Sequence, residues 1–299
     1  MRKIALALAV LTAILLPALH AAPAHATQFH TWASHNGNDA NPCTLALPCA
    51  TLTQALSQTV DGGVATCLDS GQFGQYTVTI SVIIDCTGTV ATPDSASGMI
   101  CAPGITVNAP GSVVTLRGLI AANWARCLTA SGILIQAASA VYIEDCVIEN
   151  WLQKGILDQR TTGLTKLVIK NTIVRNNGSA GIVAGAAPKG LVVLENVQSV
   201  GNVFGIAIAT GNNVVISRSV MSENAVAGIE ADPGAGVVVE NTKISHNASY
   251  GILAQGTVTL ANSDISFNST SISGPTFSFG NNRLVGNGGG TAPTLISQQ

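Results

Sequence analysis

The sequence predicts an all-β fold, a single-stranded parallel β-helix with an N-terminal cap, and three observations predict it. First, apolar runs of the Val-x-Ile type start at Val114, Val141, Leu167, Leu191, Val214, Val237, Val258 and Phe277, at intervals of 27, 26, 24, 23, 23, 21 and 19 residues. A self-similar period of roughly 20–30 residues means a solenoid. Second, apolar residues alternate within each run, as Val141 with Ile143, Leu167 with Ile169, Val214 with Ile216 and Val237 with Val239. That is the period of a strand, and no repeat carries a long stretch at helical spacing. Third, a refrain of Asn, small residues and Gly-Ile recurs: "NNGSAGIVAGA" from Asn176, "GNVFGIAIATG" from Gly201, "ENAVAGIEADPG" from Glu223 and "HNASYGILAQG" from His246. Leucine-rich repeats would need a Leu-rich consensus that is absent.

Residues 1–26 read as an export signal. Met1-Arg2-Lys3 is basic, "IALALAVLTAILLPAL" is apolar but too short to span a bilayer, and Ala24-His25-Ala26 is a small-x-small site with cleavage expected after Ala26. No later stretch resembles a membrane span, and "GGGTAPTLISQQ" at the end carries no lipidation pattern. The expectation is a soluble secreted or periplasmic protein in a compartment that permits disulfides. Removing Arg2 and Lys3 from the 13 basic residues leaves 11 against 15 acidic ones, a charge of −4. Without basic clusters, that argues against nucleic acid or anionic membrane as a partner.

Residues 27–60 are expected to cap the open end of the solenoid, which would otherwise expose core and strand edges. Thr51 with Gln54 makes a capping box, so a short helix is predicted from Leu52 to Ser57. Cys43 and Cys49, in an exported chain, suggest a short-loop disulfide. Asp39 and Asn41 are turn formers or, alternatively, calcium ligands.

Residues 61–290 are the coils, with equivalent residues stacked at about 4.8 Å. Ten residues after each start, the column reads Asn177, Gly201, Asn224, Asn247, Asn268 and Asn287. Stacked Asn side chains tolerate left-handed backbone and pass hydrogen bonds along the column. In Gly155-Ile156, Gly181-Ile182, Gly205-Ile206, Gly228-Ile229 and Gly251-Ile252, the Gly is read as a bend and the Ile as a core plug. Asn177, Asn247 and Asn268 also match the glycosylation acceptor pattern, but their place in the column makes them structural. Cys67 with Cys86 and Cys101 with Cys127 are each about one circuit apart and predicted to bridge neighbouring coils. Cys146 is the unpaired seventh, in a small polar column continuing as Thr172, Asn196, Ser219, Thr242 and Ser263. Residues 291–299 are expected to be a flexible tail.

The repeat of the "NxTIxxN...GI" type over roughly residues 60–290 resembles the right-handed β-helix proteins of the pectate-lyase-like superfamily. "GNDANPCTLALPCATLTQAL" resembles the opening segment of many secreted members, with Cys43 and Cys49 replacing a Gly and a Phe. The superfamily includes lyases, glycoside hydrolases, epimerases and adhesins, so fold by itself assigns no reaction. Its lyases imply calcium held by several carboxylates plus an Arg or Lys base. Its hydrolases imply carboxylates facing across a groove. The polygalacturonase lineup "NTD...DD...GHG...RIK" is absent, and so is a trimerisation segment.

Charged columns Arg117, Glu144, Lys170 and Glu149, Arg175 read as surface ion-pair ladders, worth about 0–1 kcal/mol per pair. Glu223, Glu230 and Asp232 cluster around one coil with His246 stacked beside Glu223, the nearest approach to an acid/base group; the alternative is a solvated turn. Trp124 and Trp151 share a column, with Arg126, Glu149, Lys154 and Arg175 around them. They form either a sugar-binding platform with candidate residues Trp124, Arg126, Trp151 and Lys154, or a packed indole pair. The expected function is an exported β-helix protein that binds polysaccharide or acts at the cell envelope, without a recognisable catalytic site and with no metal or cofactor assigned. The alternative is a carbohydrate-active lyase or hydrolase with an unfamiliar site.

Overall fold

The computed structural model describes residues 27–93, 102–123, 130–185 and 190–297. From Val113 to Ser273 each circuit has a longer strand, a corner, a three-residue strand, a second corner, a third strand and a connection of variable length, whereas the two circuits before it have two-residue middle strands, Gly71–Gln72 and Ala91–Thr92, paired in a small sheet of their own. Ala140–Glu144, Val147–Glu149 and Ile156–Asp158 make one such circuit, and Lys166–Lys170 opens the next. Equivalent strands stack in parallel. Among the described residues, sheet A, which carries the longer strands, has 12 of them, sheet B, built from the three-residue strands, has 8, and sheet C has 9. Parallel strands of one sheet joined by such crossovers wind right-handed.

Inward residues of all three sheets, such as Val141 and Ile143, Ile148, and Ile156, are fully buried and form one continuous core. The pairing of Leu167 with Val192, and of Val258 with Thr276, corrects two predicted starts by one residue, from Leu191 and from Phe277. In "GLVVLE" four apolar residues run together, so alternation alone leaves the phase open. Leu191 faces outward and is exposed, while Val192 and Leu194 are buried. This shift puts Asn202, not Gly201, in the Asn column and Val197, not Asn196, in the small column.

Both corners use left-handed backbone. On the A–B side Asp145, Asn171, Asn196, Arg218, Asn241 and Asn262 have φ between 47 and 54°. On the B–C side Asn150, Asn176, Glu223, His246 and Phe267 have φ between 56 and 64°, with Gly201 at 67° between Asn176 and Glu223. The Gly-Ile glycines therefore do not make the bend, contrary to the sequence reading. They lie at or just before the start of sheet C strands, where the next coil leaves no room for a side chain. A Cβ on Gly155, Gly205 or Gly251 would sit 2.6, 2.4 or 2.5 Å from the carbonyl oxygen of Gly181, Gly228 or Ser271.

Beside the B–C corner the column Asn177, Asn202, Asn224, Asn247 and Asn268 is buried. Each Oδ1 accepts the backbone N–H of the previous rung, at 3.0–3.1 Å, from Asn177 N–H to Asn202 through to Asn268 N–H to Asn287. Each Nδ2 from Asn202 onwards donates to a sheet B carbonyl of the preceding coil, at Val174, Ser199, Met221, Ile244 and Ile265. Neither atom of Asn177, Asn247 or Asn268 is exposed for glycan attachment. A second ladder lines the A–B corner, where Ser219, Thr242 and Ser263 hydroxyls each accept the N–H of the preceding rung and donate to the carbonyl two residues back. Cys146 stands in this column, buried and unpaired, its thiol 3.1 Å from the Glu144 carbonyl. Burial raises that thiol to about 12, which makes it inert at neutral pH.

The cap closes the N-terminal end in two ways. Gln28–Ala33 is the first strand of sheet A, and its free edge pairs with the loop closed by the Cys43–Cys49 disulfide, through Trp32 N–H to Cys43 O and Cys49 N–H to Trp32 O. The helix Leu52–Gln58 plugs the core with Leu52, Ala55 and Leu56. Thr51 Oγ1 accepts the Gln54 N–H as predicted, but the Thr51 N–H goes to Asp39 rather than to Gln54. Both Asp39 oxygens are used there, and the Asn41 amide donates to Pro48 O, so these two residues act as turn formers. Cys67–Cys86 joins successive coils as predicted. Cys101 and Cys127 lie outside the described residues. Within the segment expected to be a flexible tail, Thr294–Leu295 adds the last strand of sheet A.

Candidate functional site

The four acid/base candidates separate into two groups. Glu223 and His246 are successive residues of the left-handed B–C corner, because Ser222 pairs with Ser245 just before them. The next rung is Phe267, which sequence reasoning passed over. Its place was legible, since Phe267 precedes Asn268 as His246 precedes Asn247 and Glu223 precedes Asn224. All three side chains are exposed, Phe267 by 58%. The His246 and Phe267 rings stack with centroids 5.3 Å apart and planes 26° apart. A Cβ on Gly286, the rung beyond, would meet the Phe267 ring at 2.6 Å. The result is a line of carboxylate, imidazole and phenyl along one edge, spaced by the strand repeat of about 4.8 Å.

Glu230 lies past that corner in the sheet C strand Ala227–Ala231, and Asp232 follows the strand's end. Glu230 points outward between Ala207 and Leu253, in a column that runs Thr106, Leu134, Leu157, Val183, Ala207, Glu230, Leu253 and Ser273. Burial among these side chains raises its carboxyl above the usual range, and the negative charge of Asp232 adds to the rise. Glu230 is thereby fitted to hold a proton longer than an ordinary surface Glu.

Trp151 is fully buried, so its indole is core and offers no face to a sugar. It occupies the rung before Asn177 and accomplishes what the Asn side chains do with a different group. Its Nε1–H donates at 2.8 Å to the Ala121 carbonyl, the sheet B position of the preceding coil, and its backbone N–H donates to Asn177 Oδ1. An indole has no acceptor, so the amide ladder starts here. Trp124 and Arg126 lie outside the described residues. Lys154 is half-buried in the turn after Trp151, where its carbonyl accepts from Gly132 N–H. Glu149 pairs with Arg175 at 2.7 Å and Arg117 with Glu144 at 2.8 Å, as the ion-pair columns predicted; Arg117 also reaches Asp85, and Lys170 pairs with Glu195 of the next coil where Glu144 was expected.

Sequence reasoning also passed over Asp158 and Arg160, a buried ion pair at 2.6 Å. Among the described residues, no three of His, Cys, Asp and Glu come together in a way that would hold a metal ion, and no helix is long and apolar enough to cross a membrane.

The structure is similar to pectate lyase Pel9A, with a TM-score of 0.63 and 16% identity over 91% of this chain and 78% of that one. It is also similar to the A-module of the mannuronan C-5 epimerase AlgE4 of Azotobacter vinelandii, with a TM-score of 0.54 and 14% identity over 80% of this chain and 91% of that one. At such identities the likeness is one of fold. No curated protein matches the chain. The family described as "Right handed beta helix region" matches residues 103–270. That span is most of the stacked coils, with both corners and the Asn ladder, and the chain belongs to the right-handed β-helix family.

Proposed function

We propose that this is an exported β-helix protein that binds polysaccharide, outside the cell or at its envelope, along the Glu223–His246–Phe267 corner. The observation that carries the reading is Phe267. A bulky side chain in left-handed backbone is uncommon and costs on the order of 1 kcal/mol or more. The Asn residues that share this corner adopt it cheaply, and an exposed ring recovers little of the cost through burial. An exposed ring face can lie against the C–H face of a pyranose, while Glu223 accepts and His246 exchanges hydrogen bonds with its hydroxyls. The apolar start of the chain and the two disulfides support export.

The test is calorimetric titration of residues 27–299 with neutral and acidic polysaccharides. Phe267→Ala is expected to weaken binding about tenfold, equivalent to about 1.4 kcal/mol. The urea midpoint should stay unchanged or rise. Equal affinity for wild type, Phe267→Ala and Glu223→Gln would sink the reading. A second reading, a lyase or glycoside hydrolase, is favoured by the raised carboxyl of Glu230. Polymer cleavage in the same titrations that disappears with Glu230→Gln would establish it.

A further inference from the structure

We infer that the connections leading from sheet C to sheet A in three successive coils form a second binding site, one that takes a single neutral sugar ring. They line an open pocket of about 270 Å³ whose walls include Pro110, Gln136, Ser139, Arg160, Thr162 and Leu164. That volume is at the small end for ligand pockets and suits one ring, not a length of chain. The site lies in earlier coils than Phe267 and on a different edge of the solenoid, so it goes beyond the polysaccharide reading and does not depend on it.

Arg160 forms the buried floor. A guanidinium has five N–H donors. Two go to the Asp158 oxygens at 2.8 and 2.6 Å, one to Lys166 O at 3.2 Å and one to Ala138 O at 3.0 Å. One Nη1 hydrogen is left without an acceptor among the described residues, on a side chain only 4% exposed. Every guanidinium nitrogen has a partner, and an oxygen in the pocket could take up this one remaining hydrogen. Asp158 already neutralises the guanidinium, so the acceptor that fits is a hydroxyl, not a carboxylate. The Gln136 and Thr162 side chains have no hydrogen bonds among the described residues and are available to the same ligand. Pro110 and Leu164, the latter 63% exposed, provide apolar surface for the C–H side of a ring. Hydroxyls on the rim of an otherwise apolar ring are the chemistry of a neutral hexose, free or at the end of a chain.

Saturation-transfer NMR on residues 27–299 tests this, with D-glucose, D-galactose, D-mannose, their disaccharides and D-glucuronate as probes. At least one neutral hexose is expected to bind, and glucuronate to bind more weakly. Preference for the disaccharide would identify a chain end as the source, and equal binding a free sugar; both results support the site. Gln136→Ala should weaken the bound hexose about tenfold, the loss expected for one hydrogen bond to the ligand. Thr162→Trp should fill the cavity and abolish binding. Both positions are exposed, and unchanged urea midpoints would establish that the variants fold. Absence of transfer from every neutral probe, tighter binding of glucuronate, or hexose binding untouched by both variants would overturn the inference. Phe267→Ala separates the two sites. If it removes hexose binding while the pocket variants do not, the corner stands and the pocket falls. If only the pocket variants act, the pocket stands whatever polysaccharide does at the corner.

Discussion

Replacing Asn224 with alanine is expected to lower folding stability by about 3–5 kcal/mol, because several buried polar groups lose partners together. Asn224 Oδ1 accepts the Asn202 backbone N–H at 3.1 Å and lies 3.4 Å from the Asn202 Nδ2. Its own Nδ2 donates to Asn247 Oδ1 at 2.9 Å and to Ser199 O at 3.3 Å. All of these atoms belong to residues almost completely buried, where water cannot replace the missing amide. Asn287 ends the ladder and is half-buried, so Asn287→Ala should cost only about 1 kcal/mol. Urea unfolding of the two variants followed by circular dichroism checks the difference. Equal losses at the two positions would mean that the column holds the corner by shape and not by hydrogen bonding.

Gly205→Ala is expected to cost about 2–3 kcal/mol although it adds one methyl group. The new Cβ would stand 2.4 Å from the Gly228 carbonyl oxygen and 3.0 Å from Asn224 Nδ2. The obstructing atom is backbone of the next coil, fixed in sheet C, so relief requires separating two coils. This places the cost at the upper end of ordinary overpacking. Gly289→Ala is the control. Nothing lies within 4 Å of its added Cβ, and alanine there should be neutral or stabilise by up to about 1 kcal/mol through the unfolded chain. Urea midpoints compare the pair, and a loss below about 1 kcal/mol for Gly205→Ala would show that the coils separate easily.

The Phe267 corner was half legible. Glu223 and His246 were placed side by side because both stand just before a column Asn, and counting from the repeat finds that relation. Phe267 obeys the same count, but a search for proton-transfer groups passes over a phenyl ring. Trp151 shows the opposite difficulty. Its column was read correctly, yet only the structure reveals that its indole N–H turns inward and replaces an Asn amide. The Arg160 cavity left no trace in the repeat, because its walls come from connections of different length in three coils.

By itself the sequence determined the solenoid, its approximate period, the Asn column, the cap helix, two of the disulfides and the free Cys146. These follow from spacings along one chain, and a stacked coil repeats any local rule at every turn. Tertiary structure alone decided the phase at Leu191 and Phe277, the role of the Gly-Ile glycines and the fates of Trp151 and Arg160. Each of these depends on what the neighbouring coil presents at a distance of one strand spacing. Alternation states that a residue faces in or out; contact with the next coil states which, and what it meets there.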